Sequence, residues 1–324
     1  LVVGSVRCVY ETATHTPTRD AAVELAILDK IASTWQRRAT VKKPELDLEG
    51  LFQPELPDYP ITLVPFRGHP RFVEAPEERK QALLSWAWMA YNRNTIMNEE
   101  KIANPAFELL MHARFPGTDH PGIKRTVVQA LVDENYHTLM HLNATLVTER
   151  RRGLVFNESL LPDSLACRML QAARARAADA WEQDLLTLAY AVVAEISINA
   201  YLNLLSKDQS IQPINRMTTE LHNRDEFSHA LVIAEIAKSV YVHMNDAMRE
   251  CFIRALPEAL RGIASSDYKT WRAILGHLGF EHVDEIIGDL EGQTGSRVLV
   301  RDYSGLKHLA SELGILERMD FEFA

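Results

Sequence analysis

A single glutamate in the most apolar stretch of this chain restricts what the chain can fold into. Glu195 interrupts LLTLAYAVVAEISINAYLNLL, which otherwise reads as one buried helix. An unpaired carboxylate there would cost several kcal/mol, so the fold must bring it a metal ion, a proton or a cationic partner. Two ExxH units supply the matching chemistry: Glu134 and His137 in DENYH, and Glu226 and His229 in DEFSH. Residues three apart on a helix share a face and can grip one ion together. A further glutamate, Glu99 or its neighbour Glu100, precedes the first unit within YNRNTIMNEEKIANP. The order Glu … ExxH therefore occurs twice, with 35 residues from Glu99 to Glu134 and 31 from Glu195 to Glu226.

That order is the one by which a four-helix bundle holds two metal ions, with one Glu from each of two helices and ExxH from each of the others. Four carboxylates balance two divalent cations in a low-dielectric core. His222 lies at i, i+4 and i+7 with Glu226 and His229, on the same face. Three imidazoles with four carboxylates suit iron or manganese better than magnesium or calcium. His141 continues the Glu134–His137 face as a supporting or core residue. Trp86, Trp88, Met89, Tyr136 and Met140 read as core packing.

Helical periodicity dominates from Ala75 onward, with long stretches expected at 76–115, 121–151, 164–206 and 213–252. Breaks are marked by Pro116-Gly117, Pro121-Gly122, Arg152-Gly153 and Gln212-Pro213. Before them, Asp20–Arg38 reads as an amphipathic helix. Seven prolines between Lys43 and Pro76 then make a strap, in which only Ile61–Val64 looks strand-like. GQTGSRVLVR, Gly292 to Arg301, is the best strand or hairpin segment, and Leu306–Ile315 reads as helical. The expected fold class is all-α: a ferritin-like four-helix bundle with extra helices, a Pro-rich N-terminal strap and a short C-terminal strand or hairpin. Residues 1–324 are expected to form a single domain, with helix and strap at 1–75, bundle at 76–252 and a covering segment at 253–324.

The 324-residue chain is 47% hydrophobic and 24% charged with a net charge of −9, which argues against disorder and against nucleic-acid binding. Its longest apolar stretch, Leu185–Ala194, is far below the roughly 20 residues of a membrane span. Cys8, Cys167 and Cys251 have no CxxC spacing, which suits a reducing cytoplasm. LVVGSVRCVYET does not read as a signal peptide. There is no P-loop and no GxGxxG motif for NAD or flavin, so electrons are expected from a separate donor.

Along these residues the chain resembles the p-aminobenzoate N-oxygenases, di-iron arylamine oxygenases of antibiotic pathways. The shared features are the stretch holding Tyr91, Asn92, Glu99 and Pro105, then HARFPGTDHP, VDENYHTLMH, AEISINA, IQP, HNRDEFSH and VLVRDYSG. The likeness runs from about Leu56 to Phe323. It implies metal ligands Glu99, Glu134, His137, Glu195, His222, Glu226 and His229, two iron ions, and O2 as co-substrate. It also implies a homodimer that oxidises a small amine to the hydroxylamine, nitroso or nitro level. Tyr91 and Arg301 match positions that meet a substrate carboxylate, an Arg–carboxylate fork being well suited to orienting the amine. The amine is an arylamine such as p-aminobenzoate, or an aliphatic amine derived from an amino acid. A ferroxidase or iron-handling protein is the alternative from another class. A radical generator would need a tyrosine such as Tyr136 or Tyr190 beside the metals.

Overall fold

The computed structural model describes residues 20–293 and 302–323. Glu195 sits in α7 (Ala180–Ser206), whose residues from Leu185 to Glu195 are all buried. This helix is long and apolar enough to cross a bilayer, with a mean hydropathy of 1.6 over 18 residues. Yet 78% of that window is buried inside the protein, so α7 is a core helix. It packs against α8 (Pro213–His243) and α9 (Asp246–Ala264), and also against α6 (Leu165–Arg176). On the other side of the centre, α3 (Glu77–Asn98) packs on α5 (Pro121–Arg152), and α5 also contacts α8. The four helices α3, α5, α7 and α8 form a ferritin-like bundle, and around them lie shorter helices.

Local chemistry sets several boundaries. The imidazole Nδ1 of His120 accepts from the Gly122 N–H at 3.0 Å, Pro121 opens α5, and Gly153 closes it at φ 64°. Between α3 and α4 (Asn104–Met111) the helix widens into a π turn at Glu99–Ala103. Pro105 has no N–H to offer the carbonyl four residues back, which favours the wider turn. The turn carries Glu99 into the interior, while Glu100 is exposed.

The amphipathic helix at the start is α1 (Asp20–Arg38), lying over α5 and α8. The strap crosses the bundle irregularly, apart from short 3-10 turns and the one-turn α2 (Pro70–Val73). Its anchor is Asp58, only 1% exposed. The Asp58 carboxylate accepts from Ser85 Oγ of α3 at 2.6 Å and from Arg152 Nε of α5 at 2.8 Å. Its carbonyl accepts from Asn215 Nδ2 of α8 at 2.7 Å. One buried aspartate thus ties the strap to three bundle helices.

The structure corrects three expectations. Ile61–Val64 is not a strand: Ile61–Leu63 forms a 3-10 turn, because Pro60 and Pro65 leave too few residues to pair. The stretch 164–206 is two helices, α6 and α7, separated at Ala177–Asp179. The stretch 213–252 is also two, with Asn245 capping the start of α9 by accepting from the Met248 N–H at 3.0 Å. α10 (Tyr268–His277), α11 (Val283–Glu291) and α12 (Ser304–Glu312) complete the cover. No β-strand forms among the described residues, and the expected hairpin falls almost wholly outside them.

Candidate metal centre

The π turn, α5, α7 and α8 bring seven side chains to one point inside the bundle. Glu99, Glu134, His137, Glu195, His222, Glu226 and His229 are each at most 4% exposed. Their potential ligand atoms form two overlapping groups, each within 4.8 Å. One group is Glu99, Glu134, His137, His222 and Glu226; the other is Glu134, Glu195, Glu226 and His229. Glu134 and Glu226 belong to both, as carboxylates bridging two cations would. Two buried oxygens, Glu195 Oε2 and Glu226 Oε2, have no hydrogen-bond partner. A native protein seldom leaves such atoms unsatisfied, so this donor set fits a pair of metal ions. The nitrogen-rich group differs from the other by His222 and so would hold its ion with more nitrogen.

Each ExxH histidine faces the cluster with Nδ1. His137 Nδ1 lies 3.1 Å from Glu134 Oε2 and 3.2 Å from Glu226 Oε1. His229 Nδ1 lies 2.7 Å from Glu134 Oε1. Their Nε2 atoms point outward, crosswise: His137 to Asp225 of α8 at 3.4 Å, and His229 to Asp133 of α5 at 3.2 Å. A carboxylate only accepts, so each Nε2 carries the proton and Nδ1 is left for a metal. Neither aspartate was anticipated from the sequence. Their signal is the D that precedes both ExxH units.

His222 is held differently. Its Nε2 faces Glu226 Oε1 at 3.0 Å and Glu99 Oε1 at 3.3 Å, and its Nδ1 meets His141 Nε2 at 2.9 Å. His141 Nδ1 reaches Asn92 Oδ1 at 2.8 Å, and Asn92 Nδ2 donates to Thr145 Oγ1 at 2.9 Å. Because Asn92 donates with its nitrogen, its oxygen must accept from His141, and the donor direction runs back to His222. His141 therefore supports the cluster from outside the two groups.

The electrostatics separate these residues into kinds. Burial pushes the Glu99 and Glu195 carboxyls well up, reinforced by the Glu134 carboxylate beside each. Burial opposes ionisation of Glu134 and Glu226 too, but the neighbouring His229 and His137 hold both below the usual carboxylate range. Burial alone would lower His137 and His229; the facing carboxylates, including Asp225 and Asp133, raise both. His141 and His222 are lowered, by burial first and by neighbouring imidazoles second. By itself the cluster thus favours the protonated forms of His137, His229, Glu99 and Glu195. Loading divalent ions should release protons, and the affinity should weaken as pH falls. Calorimetry in buffers of different ionisation enthalpy measures this; release of fewer than one proton would contradict the assignment of protons.

Tyr91 lies one helical region before Glu99 and stacks on Tyr201 of α7, ring centroids 4.6 Å apart. Both line a cavity of about 110 Å³ with Tyr59, Asn94, Ile198 and Trp271. The Tyr91 hydroxyl and Asn94 Oδ1 are buried without hydrogen-bond partners. Burial first, then Tyr201 and Tyr59, raises the Tyr91 pKa, so the hydroxyl is a donor at any ordinary pH. Arg301 lies outside the described residues. Tyr190 is on α7 near Glu258, Arg176 and Arg261. Tyr136 is only partly buried, near Asp225 and His137.

A bundle whose two buried Glu … ExxH hairpins meet at one cluster has the ferritin-like architecture, and its cluster could hold metal. The family described as P-aminobenzoate N-oxygenase AurF matches residues 21–314. A 4-aminobenzoate N-oxygenase of Streptomyces thioluteus is 38% identical over 302 residues, covering 92% of this chain and 89% of the relative. The chain belongs to the p-aminobenzoate N-oxygenase family, and it is an oxygenase.

Proposed function

We propose that the protein is a di-iron N-oxygenase that uses O2 to oxidise the amino group of a small amine. The observation that carries the reading is the convergence of four carboxylates and three imidazoles on one buried cluster. The 4-aminobenzoate relative supports it. Glu99, Glu134, His137, Glu195, His222, Glu226 and His229 would hold the ions, iron fitting the mixed N/O set and manganese being the competitor. Two iron ions bound there would supply O2 activation and the oxidation of nitrogen. The protein's own part is to fix ligand direction through Asp133, Asp225 and His141, to keep bulk water out, and to orient the amine.

The cavity beside Tyr91 is suited to an aromatic amine, its ring against Tyr59, Tyr201 and Trp271 and its polar end on Tyr91 and Asn94. Arg301 would pair with a substrate carboxylate, p-aminobenzoate being the first compound to test. This cavity favours amine oxidation over ferroxidase chemistry, which needs no organic pocket. Iron-loaded protein, given a panel of amines, O2 and a reductant, should convert at least one arylamine to its hydroxylamine or nitro product. Rapid iron oxidation that no amine diverts would favour the iron-handling alternative.

Residues 1–324 would work as one domain and as a homodimer. α5 carries an outward stripe of Val128, Val132, Asn135, Leu139, Leu142 and Leu146, spaced alternately four and three apart. That spacing is a helix–helix seam, and a second copy of the same helix is its simplest partner. Replacing both Leu139 and Leu142 by Glu should turn a dimer into a monomer in light scattering. An unchanged mass in the variant would remove α5 from the interface.

A further inference from the structure

We infer that the segment Trp35–Lys43 is a docking surface for an acidic one-electron carrier protein, with Trp35 as the point where electrons enter. This rests on the di-iron reading above, and it names the partner that the reading requires. Oxidising an amine to a hydroxylamine follows RNH2 + O2 + 2e− + 2H+ → RNHOH + H2O, so two electrons must come from outside for each turnover. Two carriers, each giving up one electron, supply them.

The segment reads WQRRATVKK: four cations and no acid, in a chain whose net charge is −9. Arg37, Lys42 and Lys43 are exposed, and none of the three pairs with a carboxylate among the described residues. Arg224 of α8 joins them by donating to Thr40 Oγ1 at 2.9 Å. Glu45 borders this surface, lining a pocket with Thr40, Lys43 and Arg224, and the balance within the segment stays basic. A basic surface on an acidic protein attracts an acidic partner and repels the protein's own kind.

Beneath this surface lies a direct connection to the cluster. The Trp35 indole N–H donates to both oxygens of Asp133, at 2.9 and 3.0 Å. Asp133 Oδ2 is 3.2 Å from His229 Nε2, and His229 Nδ1 faces Glu134 and Glu226. Lys42 Nζ covers the outer side of the indole, 4.4 Å from its ring centroid. The same segment reaches the other ExxH histidine, because the Thr40 backbone N–H donates to Asp225, which meets His137. Trp35 is the large aromatic group on these paths, and it is 8% exposed. It therefore joins the charged surface to the outer nitrogen of a metal-facing histidine through two hydrogen bonds.

The test uses iron-loaded, oxidised protein and a reduced plant-type [2Fe–2S] ferredoxin as probe, mixed anaerobically and followed by absorbance. Reduction should be fast at low salt and slow as ionic strength rises. The triple variant Arg37→Glu, Lys42→Glu, Lys43→Glu should lose at least tenfold in the second-order rate. Trp35→Phe should lower the rate at saturating ferredoxin while leaving affinity unchanged. Dithionite should reduce all three proteins alike, with two irons per chain in each, which a merely structural role for Trp35 would not give. Equal ferredoxin rates in the triple variant would overturn the proposal. So would a wild-type centre that dithionite reduces and ferredoxin does not. If the protein takes up no iron pair, the di-iron reading fails instead. Salt-dependent binding of ferredoxin to metal-free protein, lost in the triple variant, then still supports the surface, and its absence overturns it.

Discussion

Glu226→Ala should yield a folded protein that holds neither metal ion and has no oxygenase activity. Glu226 belongs to both groups of ligand atoms, and its Oε1 lies close to His222, His229 and His137. Removing it deletes a donor from each ion and leaves three imidazoles facing less negative charge. Glu195→Ala should behave differently, because Glu195 belongs only to the group with His229. One ion should be lost and the other kept, giving one metal per chain. The two variants together separate a bridging carboxylate from a terminal one by metal content alone. Two ions retained in Glu226→Ala would remove it from the centre.

Asp58→Ala should cost the largest share of stability of any single change in the strap. The carboxylate is 1% exposed and satisfies Ser85 and Arg152 at once. Its loss leaves the Arg152 guanidinium, whose side chain is 20% exposed, with only the carbonyls of Pro54 and Leu56. Breaking a buried ion pair on one side costs about 3 kcal/mol in such settings. Since the strap bridges α3, α5 and α8, its release should also loosen the cavity wall at Tyr59. Urea denaturation measures the first effect, and a change below about 1 kcal/mol would show that the strap is held by its other contacts.

Much of the candidate site is legible because its signals are local. ExxH is a three-residue spacing on one helix, and Glu195 announces itself by interrupting an apolar helix that cannot solvate it. Glu99 against Glu100 was open on helical phase alone, because the π turn that turns Glu99 inward is invisible to a 3.6-residue period. Asp133 and Asp225 went unread for another reason. Each serves the histidine of the opposite helix, a pairing that no local pattern records. Trp35 and Thr40 reach the centre from about a hundred residues or more away, which places them beyond periodicity altogether. The split of 164–206 is hidden in the sequence because RARAADAW contains neither Gly nor Pro. The break before α9 is set by Asn245 accepting from the Met248 N–H, a cap that carries neither Gly nor Pro to mark it.

The most direct measurement is an anaerobic titration of metal-free protein with Fe(II), followed by Mössbauer spectroscopy of the oxidised product. Two iron ions per chain, magnetically coupled through shared ligands, are the predicted result, because Glu134 and Glu226 stand in both groups. One iron per chain, or two that show no coupling, would contradict a carboxylate-bridged pair and with it the central claim.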